Sequence, residues 1–215
     1  MLEATRLEAG YGRAQVLFGV TLKVAPGEVV ALLGRNGAGK STTLKAMMGL
    51  IVPSEGEVVF DGQRVDRLDS HEIARLGLGY VPEDRRIFTD LTVEENLEVG
   101  RQPPRTGLPA WTAANLLALF PALAGLLPRR AGSLSGGEQQ MLCIARTLAG
   151  NPRAILLDEP SEGLAPVVVE HMAKAILALK AAGMAVLLAE QSRAFTQRVA
   201  DRSYTLEKGR IANGP

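Results

Sequence analysis

At 215 residues and 47% hydrophobic content, the chain can bury a sizeable core as one large domain or one domain with a small insertion. A net charge of +1 and 4% aromatic residues argue against a surface built to grip nucleic acid, which needs a basic field and stacking rings. The single cysteine, Cys143, excludes an internal disulfide and a cysteine metal cluster, and it suits a reducing compartment.

The first elements read as strands at Ala4 to Glu8 and Val20 to Val24, the second closed by the Pro26-Gly27 turn. Glu28 to Leu33 is an apolar run, as expected of a parallel strand covered on both faces. A glycine-rich loop follows, then a helix ending near Met48 and Gly49. Glu57 to Phe60 predicts a strand of a small antiparallel addition, Ser70 to Arg75 a short helix, and Leu78 to Val81 a strand stopped by Pro82. From Glu83 to Asn151 the pattern turns helical. Thr92 to Glu95 is a capping box, Arg101 to Pro109 a proline-rich loop, Trp111 to Phe120 a helix and Pro128 to Gly132 a second loop. A further capping box at Ser135 to Glu138 opens a helix running to Gly150. Strands return at Ala154 to Asp158 and Ala185 to Ala189. Between them lies a helix with Pro166 in its first turn, ending at Gly183. A helix from Arg193 to Ala200 and a hairpin from Ser203 to Ile211 complete the chain. No repeat appears, and the expected architecture is a parallel α/β core interrupted by a helical insertion. The first residues, Met1 to Arg6, lack the makings of a secretory signal. The longest apolar patch, Leu116 to Leu127, is broken by Pro121 and falls short of the ~18 residues that span a bilayer. A soluble protein is expected, one that reaches a membrane only by docking on a spanning partner.

Gly34-Arg35-Asn36-Gly37-Ala38-Gly39-Lys40-Ser41-Thr42 has the spacing of a phosphate-binding loop. Its glycines let backbone N–H groups curl around phosphate, and the helix start adds partial positive charge. Lys40 is placed for the β and γ phosphates, and the Ser41 hydroxyl for Mg²⁺. Asp158 and Glu159 end an apolar strand, where one acid can hold Mg²⁺ through water and the other can take a proton from attacking water. Leu134-Ser135-Gly136-Gly137-Glu138-Gln139-Gln140 makes a second anion-binding helix start. Two such starts in one chain mean either two nucleotide sites, or one site completed by a second copy. Cys143 reads as core, and His71 and His171 as solvated side chains without metal-ligand spacing.

With these three motifs in place, the sequence resembles an ATP-binding cassette subunit over essentially its whole length. The resemblance implies a P-loop NTPase (RecA-like) parallel-sheet core over residues 1–82 and 152–215, carrying an N-terminal antiparallel β subdomain, with an α-helical subdomain inserted at 83–151. In that family, the signature of one subunit covers the γ-phosphate held by the loop of another, in a head-to-tail dimer. ATP and Mg²⁺ are then expected. Gly34 to Thr42, Ser135, Gly136 and Gly137 would bind nucleotide, with Tyr11 stacking on adenine. Ser41, Glu83 and Asp158 would attend the metal, and Glu159, with Lys40 and Gln191, would act in catalysis.

Three positions depart from the general cassette pattern: Glu83 stands where most have glutamine, Gln191 where most have a switch histidine, and Ala165 where an aspartate usually crosses the dimer. Together with Val81 to Phe88, Leu91 to Leu97, Gly163 to Pro166 and Glu190-Gln191, they resemble one branch. It comprises the smaller ATPase subunit of bacterial branched-chain amino-acid importers and relatives for urea and amides. The short tail usual in that branch is not seen before Pro215. The branch implies a homo- or heterodimeric ATPase partner, transmembrane permease subunits met near Arg85 and Arg86, an indirect solute-binding protein, and the cytoplasmic face of the membrane. A non-transport cassette and a P-loop kinase are the rival readings. The first lacks its usual double cassette or basic extension here, and the second has no use for Leu134 to Glu138.

Overall fold

The computed structural model describes residues 1–107 and 109–214; Leu108, within the expected proline-rich loop, and Pro215 lie outside the described residues. Among the described residues, ten strands form two sheets. β1 (Leu2–Tyr11), β2 (Ala14–Val24), β4 (Glu55–Phe60) and β5 (Gln63–Arg64) make an antiparallel sheet in the order β2-β1-β4-β5. The second sheet combines β3 (Val29–Leu33), β6 (Leu78–Val81), β7 (Ala154–Asp158), β8 (Ala185–Glu190), β9 (Arg202–Glu207) and β10 (Arg210–Asn213). Its order is β10-β9-β3-β8-β7-β6, parallel except for the β9–β10 hairpin.

The apolar strands are covered on both sides, as their unbroken hydrophobicity predicts. Ala154 and Leu156 of β7, with Leu187 of β8 and Leu32 of β3, face one core, shared with the antiparallel sheet and α1 (Lys40–Met47). Ile155, Leu157, Val186 and Leu188 face the other core. Against that side pack α5 (Gly136–Ala149), α6 (Pro166–Ala181) and α7 (Arg193–Val199). The remaining helices are α2 (Ser70–Leu76), α3 (Val93–Gly100) and α4 (Ala113–Leu119). Residues 83–151 carry α3, α4, α5 and two short 3-10 turns, at Pro121–Leu126 and Ala131–Ser133.

Three boundaries differ from the sequence reading, each for a local reason. β1 and β2 form one long hairpin around Gly12 and Arg13, so β2 starts six residues before Val20. Left-handed residues at Arg6 (φ 47°) and Gly19 (φ 76°) accompany shifts in register that break the alternation by which a strand is recognised. The helix expected from Trp111 begins at Ala113, because Thr112 caps it by accepting a hydrogen bond from the Asn115 N–H at 3.2 Å. The segment from Pro121 tightens into a 3-10 turn, its proline having no N–H to continue α4.

Candidate nucleotide site

The site gathers at the carboxyl ends of β3, β6, β7 and β8, where open α/β sheets place ligands. β3 leads into Gly34, where a Cβ would come within 2.6 Å of the Leu206 carbonyl oxygen, so a side chain is excluded. Gly39, at φ 109°, caps α1 without any side-chain hydrogen bond, which leaves first-turn N–H groups of the helix available to an anion. Lys40 lies almost wholly inside. Its Nζ donates to the carbonyls of Gly34 at 2.9 Å and Arg35 at 3.3 Å, and pairs with Glu159 Oε1 at 2.9 Å. The two side chains of that pair are only 3% and 4% exposed.

The pleat of β7 decides which way the two acids point. Asp158 shares the face of Leu156, the face α1 packs against, and so meets Ser41. The Ser41 hydroxyl donates to Asp158 Oδ1 at 2.9 Å and the Tyr80 hydroxyl donates to Oδ2 at 3.1 Å. Burial raises the Asp158 carboxyl above its ordinary value, with Glu83 and Glu159 adding repulsion, and the two hydroxyls only partly offset this. Glu159 follows in a left-handed conformation, φ 48°, which turns its side chain toward the loop. Gln191 Nε2 donates to Glu159 Oε2 at 3.1 Å. Burial would raise the Glu159 carboxyl, but hydrogen bonds from Glu162, Lys40 and Gln191 outweigh it and hold the group below the usual range. Glu162 takes the complementary shift: its hydrogen bond to Glu159 and the repulsion between them push it up to about 7.

Lys40, Ser41, Thr42, Asn36, Gly37, Gly39, Glu83 and Glu159 line one cleft of about 410 Å³. Glu83 also borders an adjoining cleft of about 250 Å³ that contains Asp158. Ser41, Glu83 and Asp158, the three expected metal residues, therefore converge. Gly34, Arg35, Ala38 and Gln191 line a different cleft, of about 700 Å³, on the other side of the loop. Among the described residues, neither cleft bordering the loop includes Tyr11 or any of Leu134 to Glu138. Tyr11 stands 51% exposed at the tip of the β1–β2 hairpin.

Ser135 caps α5 at the surface. It forms a reciprocal box with Glu138, whose Oε2 accepts from the Ser135 N–H and hydroxyl, each at 2.7 Å. Gly136 and Gly137 have their own steric reasons. A Cβ would reach 3.0 Å from an Arg85 guanidinium nitrogen at the first and 2.9 Å from Val168 Cγ2 at the second.

Several residues at the site carried no sequence signal. Tyr80 needed the neighbourhood of β6 and β7 to be known, although its place in the Leu78–Val81 strand was visible. Glu190, 2% exposed, accepts from the Ser161 N–H and hydroxyl at 3.1 and 2.6 Å and from the Gln191 and Ser192 N–H groups at 3.2 and 3.4 Å. It pins the turn after Glu159 to the end of β8. Asn96, fully buried, clasps Phe88 through both its N–H and its carbonyl, at 3.0 and 2.9 Å. Arg146 donates to the Arg86 carbonyl at 2.6 Å and lies 4.9 Å from the Phe88 ring centre, so the segment after Glu83 is tied to α3 and α5. Cys143 is core, as read, its thiol donating to the Arg85 carbonyl.

The donor set suits Mg²⁺. It is all oxygen, and because the Ser41 hydroxyl spends its proton on Asp158, its lone pairs remain for a cation. Among the described residues, no group of three His, Cys, Asp or Glu side chains is arranged to hold a metal.

Residues 17–162 match the family model described as ABC transporter. The chain is 42% identical over 211 residues to BraG of Pseudomonas aeruginosa, a high-affinity branched-chain amino acid transport ATP-binding protein, covering 98% of this chain and 91% of that one. It is 37% identical over 212 residues to LptB of Acidithiobacillus ferridurans, a lipopolysaccharide export system ATP-binding protein, covering 98% and 88%. A dimeric ATP-binding cassette solved in a post-hydrolysis state with ADP and phosphate superposes with a TM-score of 0.85 at 25% identity, over 100% of this chain and 98% of that one. With the family model spanning residues 17–162 and a relative 42% identical over 98% of its length, the chain belongs to the ABC transporter family, as an ATP-hydrolysing subunit.

Proposed function

We propose that this cassette powers import of branched-chain amino acids through a membrane permease. It would sit at the cytoplasmic face, with a second cassette as partner and a solute-binding protein acting indirectly. The observation that carries the reading is the 42% identity to BraG along nearly the whole chain, against 37% to LptB. The Glu83 and Gln191 substitutions, expected of that importer branch, accompany it. The LptB likeness makes lipopolysaccharide export the second reading.

Chemically, the reading starts from Lys40. All three of its N–H donors are engaged, two by carbonyls and one by Glu159. In this reading, an incoming phosphate takes the place of Glu159 beside the ammonium and frees the carboxylate for water. Gln191 keeps that carboxylate aimed, and as a neutral amide it does so at any pH near neutrality. Mg²⁺, when bound, neutralises charge on the phosphates. Ser41 would hold it directly, Asp158 through water, and Glu83 would approach from the adjoining cleft. Since Ser135 to Gly137 lie outside the loop clefts, the γ-phosphate would be closed off by the signature of the partner cassette. The domain division at 83–151 has a role here as well, because the segment after Glu83 is tied to α3 and α5 and would move with them. A groove of about 580 Å³, lined by exposed Phe88, Val99 and Leu50, lies beside that segment and suits a permease helix.

The test is to purify the native membrane assembly through a tag on this chain and measure ATP hydrolysis. Stimulation by leucine, isoleucine or valine with the matching binding protein supports the proposal. Stimulation by lipopolysaccharide alone would transfer it to the second reading.

A further inference from the structure

Tyr80 occupies an unusual place for a tyrosine that neither the sequence motifs nor the hydrolytic chemistry requires. Its partner across the β6–β7 ladder is Leu156, so its side chain rises on the face that carries Asp158 two residues further on. Its hydroxyl donates to Asp158 Oδ2 at 3.1 Å, while Ser41 donates to Oδ1 at 2.9 Å. Asp158 is 1% exposed, and a carboxylate at that depth needs both oxygens satisfied. The ring packs on the core beneath α1 and forms a wall of the cleft that holds Glu83 and Asp158, so the hydroxyl has little freedom to move.

We propose that Tyr80 is a positioning residue for magnesium, fixing the Asp158 carboxylate so that the Ser41–Asp158 pair presents its oxygens to the cation. The two hydroxyls play different parts. Ser41 offers its own lone pairs to the ion, whereas Tyr80 acts only through Asp158, holding the plane of the carboxylate from the opposite edge. Such second-layer hydrogen bonds typically change metal affinity 10–100-fold when removed from a protein-ligated ion. Here the ion is held partly by substrate phosphates, so the expected effect is smaller. The inference rests on reading Ser41 and Asp158 as the magnesium site.

The experiment uses Tyr80→Phe, which keeps the ring and its packing and removes only the hydroxyl. Equilibrium binding of a fluorescent ATP analogue to the purified chain is titrated with Mg²⁺, and repeated in EDTA. The proposal expects the Mg²⁺ concentration for half-maximal binding to rise about fivefold to tenfold. Binding in EDTA should stay close to wild type, while the thermal midpoint falls by the few degrees that one lost buried hydrogen bond costs. A merely structural role would weaken both titrations equally, and that result overturns the proposal, as does an unchanged Mg²⁺ requirement. Should the wild-type chain itself show no Mg²⁺ dependence, the magnesium reading falls and this proposal with it. Dependence in the wild type without a shift in Tyr80→Phe removes Tyr80 alone.

Discussion

Replacing Glu159 with glutamine separates the proton-taking role proposed for this residue from its structural one. The side chain is 4% exposed and contacts Lys40 at 2.9 Å and Gln191 at 3.1 Å. Glutamine has the same shape and keeps an oxygen that can accept from either neighbour, while Lys40 retains the Gly34 and Arg35 carbonyls. The cost to stability is the loss of one charge-assisted contact, on the order of 1–3 kcal/mol. The cost to turnover is far greater, because a positioned general base contributes about 10²- to 10⁴-fold, or ~3–5.5 kcal/mol of barrier at 1.36 kcal/mol per decade. ATP binding should hold or tighten, since an anion that competes with phosphate for Lys40 has been neutralised. Phosphate release at saturating ATP and Mg²⁺, measured beside equilibrium nucleotide binding, distinguishes these effects. Turnover within threefold of wild type would refute the assignment of Glu159 as base.

Two further substitutions probe the charges around the loop. Lys40→Ala leaves the buried Glu159 carboxylate unpaired and should destabilise the fold by about 3–5 kcal/mol at pH 7, read from urea unfolding. Because hydrogen bonds with Glu162, Lys40 and Gln191 hold the folded pKa of Glu159 below its unfolded value, the stabilisation they give is present above that value and lost as pH falls through the folded one. The deficit of Lys40→Ala should therefore shrink below about pH 4. Glu162 behaves oppositely: with its folded pKa raised to about 7, the native state binds the extra proton, and stability declines as pH rises from the ordinary carboxylate range through 7. Glu162→Gln should accordingly raise the thermal midpoint at pH 8 relative to wild type and leave it nearly unchanged at pH 4. A gain of equal size at both values would contradict the raised Glu162 carboxyl.

What the sequence revealed, and what it hid, follows from the range of the interactions concerned. The starts of α1 at Lys40, α5 at Gly136 and α6 at Pro166 were legible because caps, glycines and proline act within a few residues. The strands β3, β7 and β8 were legible as apolar runs because both faces are buried. The first half of β2 was not, because its residues are largely exposed and Gly19 interrupts their alternation. Pairings across the sheet lay beyond reach. The contact of Lys40 with Glu159 depends on β3 and β7 flanking β8, and that of Tyr80 with Asp158 on β6 and β7 being neighbours in register. Gln191 is expected among the catalytic residues, and its hydrogen bond to Glu159 becomes visible only once the ends of β7 and β8 are brought together.

In the proposed function, the loop at Gly34 to Ser41 is half of a site, completed by a signature from another cassette. Ser135→Arg tests it directly, because Ser135 is exposed, borders neither loop cleft, and costs about 1 kcal/mol as a lost helix cap. The measurement is ATP turnover by the native assembly carrying this substitution, with MgATP binding by the isolated chain as reference. Turnover should fall at least tenfold below wild type, with unchanged binding by the isolated chain. Undiminished turnover, or an isolated chain that loses ATP binding, would contradict it.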